Sequence, residues 1–262
     1  YRAEIDIYAA KHSGSDLIEL ALTQNLEKEL LSVLKVCSGK LKVQVQIYAE
    51  RFTYQNAKIV LRAISTKATL EDIAHAVLPE ENECNTSWLN IISNSDSLSE
   101  ASEQMKQYSF AKAFTKLDAD SSLSNYEDAL DRHYFEKALA AANGKDVADK
   151  FLRNHLQMEI DHRNIINLFE AHALGLSSES IRKSLLDGGK LIPTAQLNTV
   201  ANTDDDGVLD ILRRSSRFDC NGLEEALKEA KNLRTLDPVV MWLHGREKKD
   251  LTRMSYLHPL SA

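Results

Sequence analysis

The residues best placed by type and spacing to do chemistry are His155, Glu159 and His162, with Asp161 beside them. Positions i, i+4 and i+7 fall on one face of a helix, so two imidazoles and a carboxylate project together. Glu159-x-x-His162 also has the Glu-x-x-His form that di-metal carboxylate proteins use within helical bundles. That chemistry needs a matching pair on another helix. The alternative is a polar helix face with side chains pairing along i, i+3 and i+4. Asp72-x-x-His75 is a second, shorter candidate of the same kind. Phosphate-cradling G-x-x-x-x-G-K-[ST] and G-x-G-x-x-G loops are absent, as is the G-x-S-x-G nucleophile elbow. The mixed-sign runs 145–150 and 246–250 read as exposed helix surface laced with ion pairs, and Arg213, Arg214 and Arg217 form the densest basic cluster.

The elements that must carry these residues are helices. Among 262 residues there are only 9 Gly and 4 Pro, roughly 5% against an average near 12%. So few turn formers argue against a sandwich or barrel, which needs a turn signal every 8–12 residues or so. With 32 basic and 39 acidic residues the net charge is −7, which argues against a phosphate-tracking nucleic-acid binder. Cys37, Cys84 and Cys220 are odd in number and far apart, so neither a disulfide framework nor a zinc ribbon is expected, and a reducing cytosolic compartment is. No stretch reaches the ~20 apolar residues of a membrane span.

An internal repeat organises the chain. I-E-L-A-L at 18–22, Y-E-D-A-L at 126–130 and L-E-E-A-L at 223–227 resemble one another. The first two are 126 − 18 = 108 residues apart, and that offset aligns further positions without a gap. Leu31 falls on Leu139, Asn56 on Asn164, Val60 on Leu168, Leu61 on Phe169, Ala63 on Ala171, Ile73 on Ile181 and Phe110 on Phe218. A unit this long is a small helical domain with its own core, not a solenoid repeat of 33–47 residues or so. Within each copy the spacing predicts an amphipathic helix, led by Ile18, Leu22, Leu26, Leu30 and Leu34 in the first and by Tyr126, Leu130, Tyr134 and Ala138 in the second. Long helices over about 42–64 and 146–173 follow, then a short one opened by Thr69 or Ser177 and ended by Pro79 or Gly188-Gly189. Residues 79–100 and 198–207 read as connectors, with Trp88-Leu89 and Leu197 as anchors. The repeat also tests the metal candidate: His155, Glu159 and His162 align with Ile47, Arg51 and Tyr54, so the other copy has no matching ligands. Asn56 and Asn164 occupy equivalent places inside long helices, where Asn is unfavourable. One reading is an inter-helix hydrogen bond or kink. The other is a polar cavity lined by Asn56, Arg62, Asp161, Asn164, Asn167 and Glu170, presented to a partner.

Y-E-D-A-L-D-R-H-Y-F-E-K-A-L (126–139) and M-E-I-D-H-R-N-I-I-N-L-F-E-A-H-A-L-G-L (158–176) resemble the second-domain signature of the C subunit of archaeal-type and V-type rotary ATPases, known in eukaryotes as the d subunit. The ending Leu257-His-Pro-Leu-Ser261 is similar to that family's approach to its last inner helix. The resemblance implies an all-α protein of three similar domains in a pseudo-threefold funnel. Here these are 1–105, 106–215 and 216–262, the first short of its opening helices and the last truncated. It implies a non-catalytic member of the central stalk, without cofactors or bound metal, on the cytoplasmic side of the membrane. Its role there is to couple the rotor shaft to the proteolipid ring in a proton- or sodium-translocating enzyme. The polar set from Asn56 to Glu170 then faces the shaft. A helical-bundle metalloenzyme using Glu159 and His162, or an unrelated cytosolic helical scaffold, are the competing expectations.

Overall fold

A computed structural model describes residues 2–10, 12–70, 73, 83–214 and 218–256. The candidates Asp72, His75 and Arg217, the stop at Pro79 and the stretch 257–261 lie outside them. Among the described residues the regular structure is entirely helical. In chain order the α-helices are α1 (Arg2–Tyr8), α2 (Gly14–Val36), α3 (Gly39–Thr66), α4 (Glu83–Ser93), α5 (Leu98–Gln104) and α6 (Leu123–Ala141). Next come α7 (Val147–Ala173), α8 (Ser178–Ser184), α9 (Leu197–Ala201), α10 (Asp205–Arg213), α11 (Cys220–Leu233) and α12 (Asp237–Tyr256). The chain divides into two compact units, Tyr1–Lys137 and Ala138–Ala262, with the division inside α6.

In the first unit α2 packs on α1 and α3, and α3 on α4 and α5. The core is aromatic. Trp88 stacks on Tyr108 with ring centroids 4.3 Å apart, Phe110 meets Tyr54 and Phe114, and Phe114 meets Tyr126. Trp88 lies on α4, so part of the polar stretch expected to be a connector is helical. Its helix propensity is poor, and burial of Trp88 and Ile91 on one face compensates. The expected inward face of α2 is corrected: Ile18, Leu22 and Leu26 are exposed, while Leu20, Ala21 and Gln24 are buried. α2 has apolar residues on two sides, and its packing on α1 and α3 buries the side of Leu20 and Ala21.

A polar ladder joins α3 to α6 within this unit. Arg62 pairs with Glu127, Lys58 with Asp131, and Glu50 with Lys137, while the Tyr54 hydroxyl meets His133 Nδ1 at 2.7 Å. The α3 members step by four and the α6 members descend in the chain as the α3 numbers rise, so the helices run antiparallel along the ladder.

The second unit is built around α7. Its core joins Ile165, Leu168 and Phe169 of α7 to Ile181, Leu197, Val208, Leu212, Leu223, Leu227, Val239 and Leu243. The polar starts of its helices are capped. Asp146, Ser177, Asp204 and Asp219 accept hydrogen bonds from backbone N–H groups three residues on. Arg153 donates to the Ala142 and Gly144 carbonyls, satisfying groups at the end of α6.

Candidate functional site

Asp161 and Asn164 were expected on a partner-facing surface, and both are interior. The Asp161 side chain accepts three successive backbone donors: Lys190 N and Leu191 N at 2.9 and 2.8 Å on Oδ2, and Ile192 N at 3.1 Å on Oδ1. Burial pushes this carboxyl above its usual range, and the three amide donors pull against that rise. Asn164 is fully buried and clamps one residue both ways, donating to the Leu186 carbonyl at 2.9 Å and accepting from the Leu186 N–H at 2.8 Å. Asn167 donates to the Ser184 carbonyl at 3.0 Å and Gln157 to the Gly188 carbonyl at 3.1 Å. Four side chains of α7 therefore hold the backbone of residues 184–192, where irregular structure would otherwise leave buried donors and acceptors unmet. Gly189 belongs to the same construction, since a Cβ there would sit 2.3 Å from Asp161 Oδ1. Gly188 has φ +102°, a conformation that favours glycine.

The other expected positions are distributed differently. Glu170 is exposed near the end of α7, and Asn56 is half-buried in α3. Arg62 is exposed but already paired with Glu127 in the ladder. The six are therefore one loop-holding group on α7, two of whose members are sealed from solvent, together with separate positions at its edge and on α3.

His155, Glu159 and His162 do share one face of α7, and all three are buried. The group at metal-ligand spacing is not a second Glu-x-x-His. It is His155, Glu159 and Glu247 of α12, with one ligand atom from each within 4.8 Å of the others. Sequence reasoning missed Glu247 because a run of alternating charges on a terminal helix reads as solvated surface; only α12 packing on α7 brings it in. His162 is held well below the usual imidazole range, at about 4, chiefly by burial and then by Arg246, His244 and His155.

A second cluster lies where α7 ends. His172 Nδ1 and Asp205 Oδ1 are 2.7 Å apart, and Lys231 Nζ lies 2.7 Å from Asp205 Oδ2. They border an open cleft of about 550 Å³ lined also by Ser178, Asn202 and Thr203.

The chain is similar to known proteins along its whole length. The family model described as "ATP synthase (C/AC39) subunit" matches residues 1–261. The C subunit of the A-type ATP synthase of Haloquadratum walsbyi is 28% identical over 270 residues, covering 100% of this chain and 75% of that protein. Its namesake in Halobacterium salinarum is 26% identical with the same two coverages. The Methanosarcina acetivorans protein of that name is 26% identical over 232 residues, with 86% and 63% covered. Among the described residues no helix is long and apolar enough to cross a membrane. The I-D-x-x-N string that suggested a relationship now has a physical meaning, since Asp161 and Asn164 are the residues that hold the loop after α8, and with the match over residues 1–261 the chain belongs to the ATP synthase (C/AC39) subunit family.

Proposed function

We propose that this chain is the non-catalytic central-stalk subunit of a rotary A- or V-type ATP synthase/ATPase, seated between the shaft and the membrane proteolipid ring on the cytoplasmic face. The observation that carries the reading is the family match over residues 1–261. The internal repeat supports it. Shifted by 108, α3 falls on residues 147–174, against Val147–Ala173 for α7. Three copies, at 1–105, 106–215 and 216–262, would make a pseudo-threefold funnel of close-packed helices, and such interiors deform little under load. That stiffness suits a protein that passes torque from one partner to another while ions move through other parts of the complex.

In this proposal Glu170 and Asn167 in the second unit, and separately Arg62 and Asn56 in the first, are polar positions that meet the shaft. Asp161 and Asn164 act through the loop they hold. A polar, hydrated socket permits assembly and release more readily than an apolar one. Glu170→Lys is the cleaner test, since Arg62→Glu also breaks the pair with Glu127. In co-purification with shaft and proteolipid subunits, wild type is retained and Glu170→Lys loses shaft binding with its helicity unchanged. Failure of the wild-type chain to retain either partner overturns the proposal. Retention of the shaft by Glu170→Lys at wild-type affinity removes Glu170 from the socket.

A further inference from the structure

A contiguous apolar stripe left to water along one helix marks a surface that another molecule covers. α2 carries one: Ile18, Leu22, Leu26, Val33 and Val36 share a face and are 40–84% exposed. From Leu22 the face runs through 22, 26, 29, 33 and 36, the alternating steps of four and three by which one helix lies along another. Glu29 is the charged member of that run and Glu19 borders it. Both are exposed, and among the described residues neither has an ion-pair partner. Lys28 is engaged with Glu4 of α1. A helix with the same pattern is covered elsewhere in this unit. At the 108-residue offset Ile18, Leu22 and Leu26 align with Tyr126, Leu130 and Tyr134 of α6, which are only 2%, 0% and 5% exposed. There Tyr134 meets Tyr54 of α3, Tyr126 meets Phe114, and the bordering Glu127 and Lys137 pair with Arg62 and Glu50 of α3. Glu19 and Glu29 align with Glu127 and Lys137, so on α2 both bordering charges are acidic. A helix that fits α2 as α3 fits α6 must therefore bring a cation to both places. A second α2 cannot, because it would set carboxylate against carboxylate.

We propose that the Ile18–Leu22–Leu26 face of α2 docks an amphipathic helix of another protein chain, antiparallel to α2. That helix carries an apolar stripe and two cations twelve residues apart, the separation of Arg62 and Glu50 on α3, which pair with Glu19 and Glu29. Burial of the stripe supplies the affinity, and the two exposed pairs fix direction and register more than they add strength. This inference does not depend on the rotary assignment.

The probe is a fluorescent peptide of residues 45–66, the α3 sequence, carrying Glu50→Lys so that cations stand at both positions. Titrated with the full chain, its anisotropy should saturate with Kd at or below about 50 µM. Leu22→Asp in the chain, at an exposed position, weakens binding by about tenfold or more with helical circular dichroism unchanged. The peptide with Glu50 retained binds wild type about threefold or more weakly, and Glu29→Lys in the chain reverses the order of the two peptides. Light scattering at the same concentrations shows a monomer. Absence of saturable binding up to about 500 µM, or binding that Leu22→Asp leaves unchanged, overturns the docking surface. Equal affinity of both peptides for wild type overturns the stated partner chemistry, and a dimer dispersed by Leu22→Asp gives the face to a second copy and overturns the proposal.

Discussion

α3 and α7 lie 108 residues apart in the sequence with nearly matching bounds, and their surroundings differ. Every buried residue of α3 has a buried counterpart 108 residues on: Ile47 and His155, Tyr54 and His162, Ala57 and Ile165, Val60 and Leu168, Leu61 and Phe169, Ala63 and Ala171. The inward stripe is therefore shared by the two helices at that offset. α7 buries six more, namely Asp149, Leu156, Glu159, Ile160, Asp161 and Asn164, which sit where α3 has Leu41, Tyr48, Arg51, Phe52, Thr53 and Asn56. Four of those six are polar or charged. A helix enclosed on several sides must supply partners for the backbone around it, and α7 does so with Asp161 and Asn164. The difference extends to the first turn, where Ser38 opens α3 without a side-chain cap and its counterpart Asp146 caps α7.

The largest effect should come from removing what α7 has and α3 lacks. Asn164→Ala leaves the Leu186 N–H and carbonyl buried without partners, at about 1–3 kcal/mol for each group. A urea transition should show a loss of roughly 3 kcal/mol, and a loss below about 1 kcal/mol would mean the loop rearranges to satisfy itself.

The ladder on α3 is the next contrast. The Lys58 and Asp131 side chains are 13% and 20% exposed, whereas Arg62 is 59% exposed. Lys58→Ala should therefore cost about 2 kcal/mol and Arg62→Ala less than about 1 kcal/mol. Equal costs would show that burial does not grade the ladder.

Asp128, beside the ladder, sharpens the comparison through pH. Burial raises its carboxyl to about 6, with Asp131 and Glu127 adding to the rise and Arg132 and Lys58 opposing it. Because the folded state holds this proton more tightly than the unfolded chain, stability falls as pH rises from about 4 to about 6 and stays reduced above that. Asp128→Asn should raise Tm at pH 7 and leave it unchanged at pH 4. A Tm gain of the same size at both values would assign the effect to something other than ionisation.

The smallest expected effect concerns the helix ends. α3 and α7 stop in the same way, with Lys67 at φ 54° and its equivalent Gly175 at φ 64°. The N–H groups of Ala68 and Leu176 bond to the carbonyls of Ala63 and Ala171, each at 2.9 Å. Of the two, only Gly175 adopts this conformation without strain. Lys67→Gly should stabilise by about 1 kcal/mol and Gly175→Lys should destabilise by a similar amount.

The helical class and the long helices were legible because Gly and Pro are scarce and the 108-residue register carries apolar positions at helical spacing. The inward stripe of α7 was legible for the same reason. α2 was not, since Ile18, Leu22 and Leu26 make as good a stripe as Leu20, Ala21 and Gln24, and only the neighbouring helices choose between them. Asn56 and Asn164 were found as a pair, but a polar residue in a helix has one signature whether it faces a partner or a buried loop. Glu247 carried no signal at all, because its surroundings are set by tertiary packing, not by its neighbours in sequence.

The Asp161 carboxylate receives the amides of three consecutive residues that belong to no helix. Those protons can meet solvent deuterium only when the loop leaves α7, so their exchange reports an opening of the core, not of the surface. Residues 190–192 should keep their protons on the timescale of a helix interior. By secondary structure they are a connection; by exchange they behave as part of the most durable body of the second unit.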